Sequence, residues 1–169
     1  MKLSDSLNAI FNEQILHEYR NQLIYTQIES AFESMQLKNI SRYFNEQSIH
    51  EKEHGDLVVN HLNSRTGGNV DILTVGVPEF SYDDPHFIAD LYVSTEEGTT
   101  ESLESIYEFT LKQKSYIDLP FILKMLEEQV EEEDSANVFS LNLKQTKDIV
   151  LFDKMLFEEK SRDSESFSV

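Results

Sequence analysis

An all-α chain folded as a four-helix bundle with one long crossover is predicted by three observations. Apolar residues recur at three- and four-residue spacing along four long runs, and no strict alternation of the kind a half-buried strand shows is sustained anywhere. Gly67, Gly68, Gly76, Pro78 and Pro85 gather in one stretch, so a single main break divides the chain. A content of 39% hydrophobic residues over 169 positions suits one domain with a substantial core.

The first run, Ser4 to Met35, is free of proline and glycine, and the second spans Leu37 to Ser64. The third covers His86 to Lys114 and the fourth Asp118 to Leu143. At 1.5 Å per residue, runs of roughly 27 residues make helices about 40 Å long. Turns of a few residues join the first to the second and the third to the fourth, which predicts two antiparallel hairpins. The break from Arg65 to Pro85 is different, because about 20 extended residues at ~3.3 Å each can run the whole length of such a bundle. It reads as the crossover between hairpins. A shorter amphipathic piece, Asp148 to Lys160, carries Ile149, Val150, Phe152, Met155, Leu156 and Phe157 and predicts a short fifth helix. One domain over residues 1–160 is thus followed by a polar tail over 161–169.

With 14 Lys+Arg against 32 Asp+Glu the formal charge is −18, which repels nucleic acid and anionic lipid and makes cations the natural partners. Cysteine is absent, so disulfides, thiolate-bound zinc, iron–sulfur clusters and cysteine nucleophiles are excluded together. Any metal must be held by carboxylate, imidazole or amide. No apolar run approaches the ~18 residues of a membrane span, and Lys2, Ser4, Asp5 and Ser6 do not resemble a signal-peptide core. The expected address is the cytoplasm.

Polar residues interrupting apolar stripes locate the chemistry. In the first helix the stripe runs Leu7, Phe11, Gln14, Glu18, Asn21, Tyr25, Ile28, Phe32. The second runs Phe44, Gln47, Glu51, His54, Val58 and then His61 or Leu62, and the fourth runs Ile122, Met125, Gln129, Glu132, Ala136, Phe139, Leu143. On the third helix, Glu97, Glu101, Glu104 and Glu108 share a face without apolar members, as a solvated face does. Glu96 instead shares a stripe with Val93, Leu103, Ile106, Tyr107 and Thr110, although a distortion at Gly98 could swing Glu97 inward. Glu18, Glu51, His54, Glu96, Gln129 and Glu132 therefore collect at mid-length on four inner faces.

Buried without partners, four carboxylates would cost several kcal/mol per ion, whereas two divalent cations would cancel their charge. Dinuclear bundles use one Glu from each of two helices and a Glu-x-x-His pair from each of the other two. Here one such pair exists, Glu51 to His54, and Gln129-x-x-Glu132 stands in the other place, so the two metals should differ in affinity. A lone Glu-x-x-His in an acidic helix is ordinarily a solvated feature; the agreement of four helices argues for a site. His17, His50, His61 and His86 have no such support and read as surface or packing residues. Tyr25 reads as core packing able to hydrogen-bond a metal ligand or lend an electron, and the Glu127 to Asp134 acidic cluster as mainly solvated face.

These residues resemble a non-haem bacterial-type ferritin from Phe11 to about Leu156. The resemblance rests on Phe11-Asn-Glu-Gln-Ile-Leu-His-Glu-Tyr19 with Tyr25 beyond it, His50-Glu-Lys-Glu-His54, Asn63-Ser-Arg-Thr-Gly-Gly-Asn-Val70, Glu127-Glu-Gln-Val-Glu-Glu-Glu133 and the tail segment Leu151-Phe-Asp-Lys-Met-Leu156. It implies the one-crossover bundle with a short fifth helix, and a homo-oligomeric shell of 24 subunits around a mineral cavity. It further implies that Glu18, Glu51 and His54 bind one iron, with Glu51 bridging to a second held by Glu96 and Glu132. Gln129 would lie beside the pair and Tyr25 behind it. Glu128, Glu131 and Glu132 match three ligands of a third iron found in some ferritins, with His50 where a Glu is usual. Haem-binding relatives use an inward Met between Glu and His on the second helix; Lys52 occupies that neighbourhood, so no haem is expected. The function implied is oxidation of Fe²⁺ by O₂ (or H₂O₂) at a di-iron centre and storage of the Fe³⁺. A di-iron oxidase or oxygenase on another substrate, and a helical bundle that binds without redox chemistry, stay open as alternatives.

Overall fold

A computed structural model describes residues 2–72 and 74–156. Four long helices, α1 (Asp5–Ser34), α2 (Lys38–Ser64), α3 (Pro85–Lys112) and α4 (Leu119–Gln145), form the bundle, and a short α5 covers 149–156. Their ends fall within two residues of the sequence expectation. The last four residues expected in the fifth helix and the 161–169 tail lie outside the described residues.

Local chemistry sets these limits. Ser4 caps α1, its hydroxyl accepting from Leu7 N at 3.2 Å, and Asp84 caps α3 by accepting from His86 N at 2.9 Å. Both hairpin turns use one device. Leu37 N donates to Phe32 O and Gln36 N to Glu33 O, with Gln36 at φ 63°; Ser115 N donates to Thr110 O and Lys114 N to Leu111 O, with Lys114 at φ 56°. These are paired 6→1 and 5→2 bonds around a left-handed residue, the Schellman closure. No side chain in the turn caps α2. Asp153 does so from α5, accepting from Asn39 N and Ile40 N at 2.9 Å each and from Asn39 Nδ2 at 2.9 Å.

The crossover runs along α1. Thr66 O accepts from Leu3 N just ahead of α1, Asn69 O from Asn12 Nδ2, and Gly76 O from Arg20 Nε, so the crossover tracks the first half of α1. Gly67 turns the chain at φ 83°, and at Gly68 a side chain would collide with the Leu62 carbonyl.

Two hydrophobic cores sit at opposite ends of the bundle. One contains Ile24, Phe32, Phe44, Tyr92, Phe139 and Phe152; the other contains Leu7, Phe11, Val58, Leu62, Leu103 and Ile122. Between them the stripes turn polar at Glu18, Glu51, His54, Glu96 and Gln129, all buried. This belt is the place to look for function.

Candidate metal centre

Glu18 and Glu51 are respectively 0% and 1% exposed, and His54 7%. One ligand atom from each lies within 4.8 Å of the others, so three side chains on two helices converge on one point. The i, i+3 step brings Glu51 and His54 over the same spot, and α1 delivers Glu18 opposite them. Gln14 Nε2 holds one Glu18 oxygen at 2.7 Å and is itself held by Ser102 Oγ at 2.5 Å from α3. The other Glu18 oxygen, Oε2, and Glu51 Oε2 are buried without a hydrogen-bond partner. Burial pushes the Glu51 carboxyl well above the usual carboxylate range, and the neighbouring Glu18 and Glu96 charges push it further. Glu18 is raised for the same first reason. Among the described residues no lysine or arginine forms an ion pair with Glu18 or Glu51, so these acceptors are desolvated without a basic side chain to compensate them.

Across the belt, Glu96 of α3 is fully buried while Glu97 is exposed, and α3 passes through Gly98 unbroken. The inward residue is thus the one the stripe indicates. Tyr25 Oη donates to Glu96 Oε1, and Gln129 Nε2 donates to Glu96 Oε2 at 2.9 Å. Both Glu96 oxygens are occupied, which separates it from the Glu18–Glu51–His54 trio. Burial still raises its carboxyl to about 7. Glu132 is only half-buried, on the rim, where His50 Nδ1 lies 3.6 Å from its Oε1. Glu128 is exposed, with Oε1 3.6 Å from His54 Nε2, and Glu131 is exposed as well. The structure thus brings together Glu18, Glu51 and His54 as a preformed trio, sets Glu96, Gln129 and Tyr25 as a hydrogen-bonded trio beside it, and leaves Glu132, Glu128 and Glu131 towards the surface.

Gln14 and Ser102 join the site through these hydrogen bonds. The signal was there for Gln14, a polar residue on an apolar stripe one turn before Glu18; nothing in the sequence pointed to Ser102. Among the remaining histidines, His61 stacks on Phe121 with ring centroids 4.1 Å apart and meets the buried Asp118 at 3.0 Å. His17 meets Thr99 Oγ1 at 3.0 Å, and burial lowers it to about 4. His86 is exposed. These are packing and surface roles.

Fold and site together define a one-crossover helical bundle with a buried Glu/Glu/His group whose ligand atoms are close enough to hold a metal ion. Residues 8–145 match the ferritin-like domain, and the chain belongs to the ferritin family. It is similar to the ferritin-1 of Nicotiana tabacum plastids, 27% identical over 94% of this chain and 67% of that one. It is also similar to the bacterial non-heme ferritin of Staphylococcus aureus, 26% identical over 78% of each chain. It spans 52% of a plastid ferritin from Arabidopsis thaliana, so about half the length of some relatives it matches. Among solved structures it superposes on an open pore ferritin of the archaeon Archaeoglobus fulgidus with a TM-score of 0.87 at 25% identity, covering 92% of this chain and 98% of that one.

Proposed function

We propose that this protein is an iron-storage ferritin of the cytoplasm that oxidises Fe²⁺ with O₂ at the buried centre and deposits Fe³⁺ inside a homo-oligomeric shell, most simply of 24 subunits. The observation that carries the reading is the pair of orphaned, desolvated oxygens on Glu18 and Glu51 beside His54. A buried carboxylate without partner or counter-ion is costly, and a divalent cation supplies both. Hard oxygen donors favour Fe³⁺ over Fe²⁺, so this donor set eases oxidation of the iron it binds.

Glu18, Glu51 and His54 hold the first iron in this reading. Glu51 bridges towards a second held by Glu96 and Glu132, with Gln129 beside it. Because Tyr25 and Gln129 occupy both Glu96 oxygens, the second ion has to compete for that carboxylate, whereas the first meets a ready trio. Glu128, Glu131 and Glu132, with His50, form the rim on which a third iron would dwell. A groove of about 560 Å³ between α3 and α4 reaches Gln129 but is lined by none of the trio, so it gives an organic substrate no direct access to the first ion.

The test is aerobic addition of Fe²⁺ to metal-free protein, following ferric absorbance and then sizing the product while tracking iron. A fast phase near two irons per chain, with iron eluting in a particle of hundreds of kilodaltons, is expected. Glu51→Ala and His54→Ala should each abolish the fast phase; unchanged initial rates in both would overturn the ligand assignment.

A further inference from the structure

Beside the Glu18–Glu51–His54 trio, α1 and α3 meet along a seam that turns polar where it passes the centre. Gln14 stands one turn before Glu18 on α1 and Asn21 one turn after it, while Ser102 and Thr99, themselves one turn apart, reach them from α3. Asn21 and Thr99 are only 3% and 1% exposed. Thr99 Oγ1 donates to Thr95 O at 3.2 Å and has Asn21 Nδ2 and His17 Nε2 each at 3.0 Å. A hydroxyl offers one hydrogen and two lone pairs, so Thr99, its hydrogen spent on Thr95, can only accept from the other two. It therefore demands an N–H of Asn21 and repels the Asn21 carbonyl. The same amide hydrogen-bonds towards the Glu51 carboxyl. Ser102 works with the opposite polarity, its Oγ donating to Gln14 Oε1 at 2.5 Å and so turning Gln14 Nε2 onto Glu18 Oε1 at 2.7 Å. A flipped amide would set oxygen against lone pairs at Thr99, and oxygen against a carboxylate at Glu18.

We propose that Thr99 and Ser102 are positioning residues for the first metal ion: their hydroxyls fix which end of the Asn21 and Gln14 amides faces the carboxylates, so that N–H groups hold Glu51 and Glu18 from behind. The inference rests on the metal-centre reading of Glu18, Glu51 and His54 and deepens it. Two buried carboxylates side by side repel, and each is free to turn about its last side-chain bond unless something restrains it. A donor on one oxygen stops that rotation and presents the other. The oxygens left without partners are Oε2 of Glu18 and Oε2 of Glu51, so the acceptors are aimed before an ion arrives. α3 thus shapes the first ion's site without giving it a ligand. Partners of this kind, one bond removed from the metal, typically account for about 10–100-fold in metal affinity. Packing alone would be served by valine at position 99, which has the shape of threonine, and by alanine at 102. Neither would choose between the two ends of an amide.

Titrating metal-free protein with Co²⁺ tests this without oxidation, because the visible bands of the bound ion report its ligands and their geometry. Thr99→Val keeps the shape and loses the hydroxyl, whereas Thr99→Ser loses a methyl group and keeps the hydroxyl. The first equivalent of Co²⁺ should bind Thr99→Val about 10–100-fold more weakly and with altered bands, and Thr99→Ser much as it binds the intact protein. Ser102→Ala and Ser102→Thr should divide the same way, and this half-buried position decides the matter if Thr99→Val fails to fold. A packing role predicts the reverse order at position 99, with valine tolerated and serine costly. That order, or Co²⁺ bound by Thr99→Val and Ser102→Ala as tightly as by the intact protein, overturns the proposal. Iron answers a separate question. An intact protein that takes up Co²⁺ with these differences among its variants, yet oxidises Fe²⁺ no faster than buffer, overturns the ferroxidase reading and leaves the positioning role in place.

Discussion

At Glu18 and Glu51 two carboxylates face each other out of water, and the sign of the resulting pH dependence follows from which form burial favours. Glu18, Glu51 and Glu96 all have their folded values raised above the ordinary 4.5, Glu96 to about 7. A raised acid binds its proton more tightly in the folded state. Its contribution to stability is therefore complete below the unfolded value and is lost as pH rises through the folded one. Metal-free protein should accordingly melt at a higher temperature near pH 5 than near pH 8, and saturating Zn²⁺, a redox-inert probe, should reverse the order. Melting curves across that window check it; a flat profile without metal would contradict the burial of charge. Glu51→Gln keeps the shape and removes one charge, so at pH 8 the metal-free variant should gain about 1 kcal/mol or more by denaturant titration while losing most of the stabilisation by Zn²⁺. Such a gain is the signature of a residue kept for binding and not for folding.

Helix ends offer a second set of outcomes, because the two hairpins and α5 depend on different closures. Gln36 and Lys114 both hold a left-handed backbone that costs a side-chain-bearing residue about 1–2 kcal/mol. Gln36→Gly should recover about 1 kcal/mol, since the Schellman bonds come from backbone and survive the change. Asp153 is the counterpart. It caps α2 from outside the hairpin, so Asp153→Ala should cost about 1 kcal/mol and loosen α5 from the bundle. Hydrogen exchange at Asn39 and Ile40 reads the lost cap directly. The hairpins and the crossover were legible from spacing and from the Gly/Pro-rich break, because periodicity and backbone freedom are local properties. That an aspartate in the fifth helix would cap the second was not, since it joins residues more than a hundred positions apart.

For the whole molecule, charge opposes assembly and exposed apolar surface favours it. Each chain carries −18, while Tyr116, Ile117, Leu123 and Val130 stand out on the surface around α4. Repulsion between copies reaches about 30 Å at 0.01 M salt and about 10 Å at 0.1 M. Sedimentation should therefore show smaller species at low ionic strength and the full shell when salt or Mg²⁺ is added. A particle whose size ignores both would show that apolar contact alone decides assembly.

Sequence by itself determined the four helices, their pairing, the crossover and the inward belt of Glu18, Glu51, His54, Glu96 and Gln129, because a polar residue on an apolar stripe is visible wherever a helix has a period. Only tertiary structure decided how those residues divide. Glu96 lies inward and Glu97 outward because α3 continues unbroken through Gly98. Glu132 stays at the rim although its stripe points inward, since packing between helices, not spacing along one, fixes depth. Glu18 and Glu51 keep free oxygens while Glu96 has none, because Tyr25, Gln129, Gln14 and Ser102 reach across helices to pair with some atoms and not others.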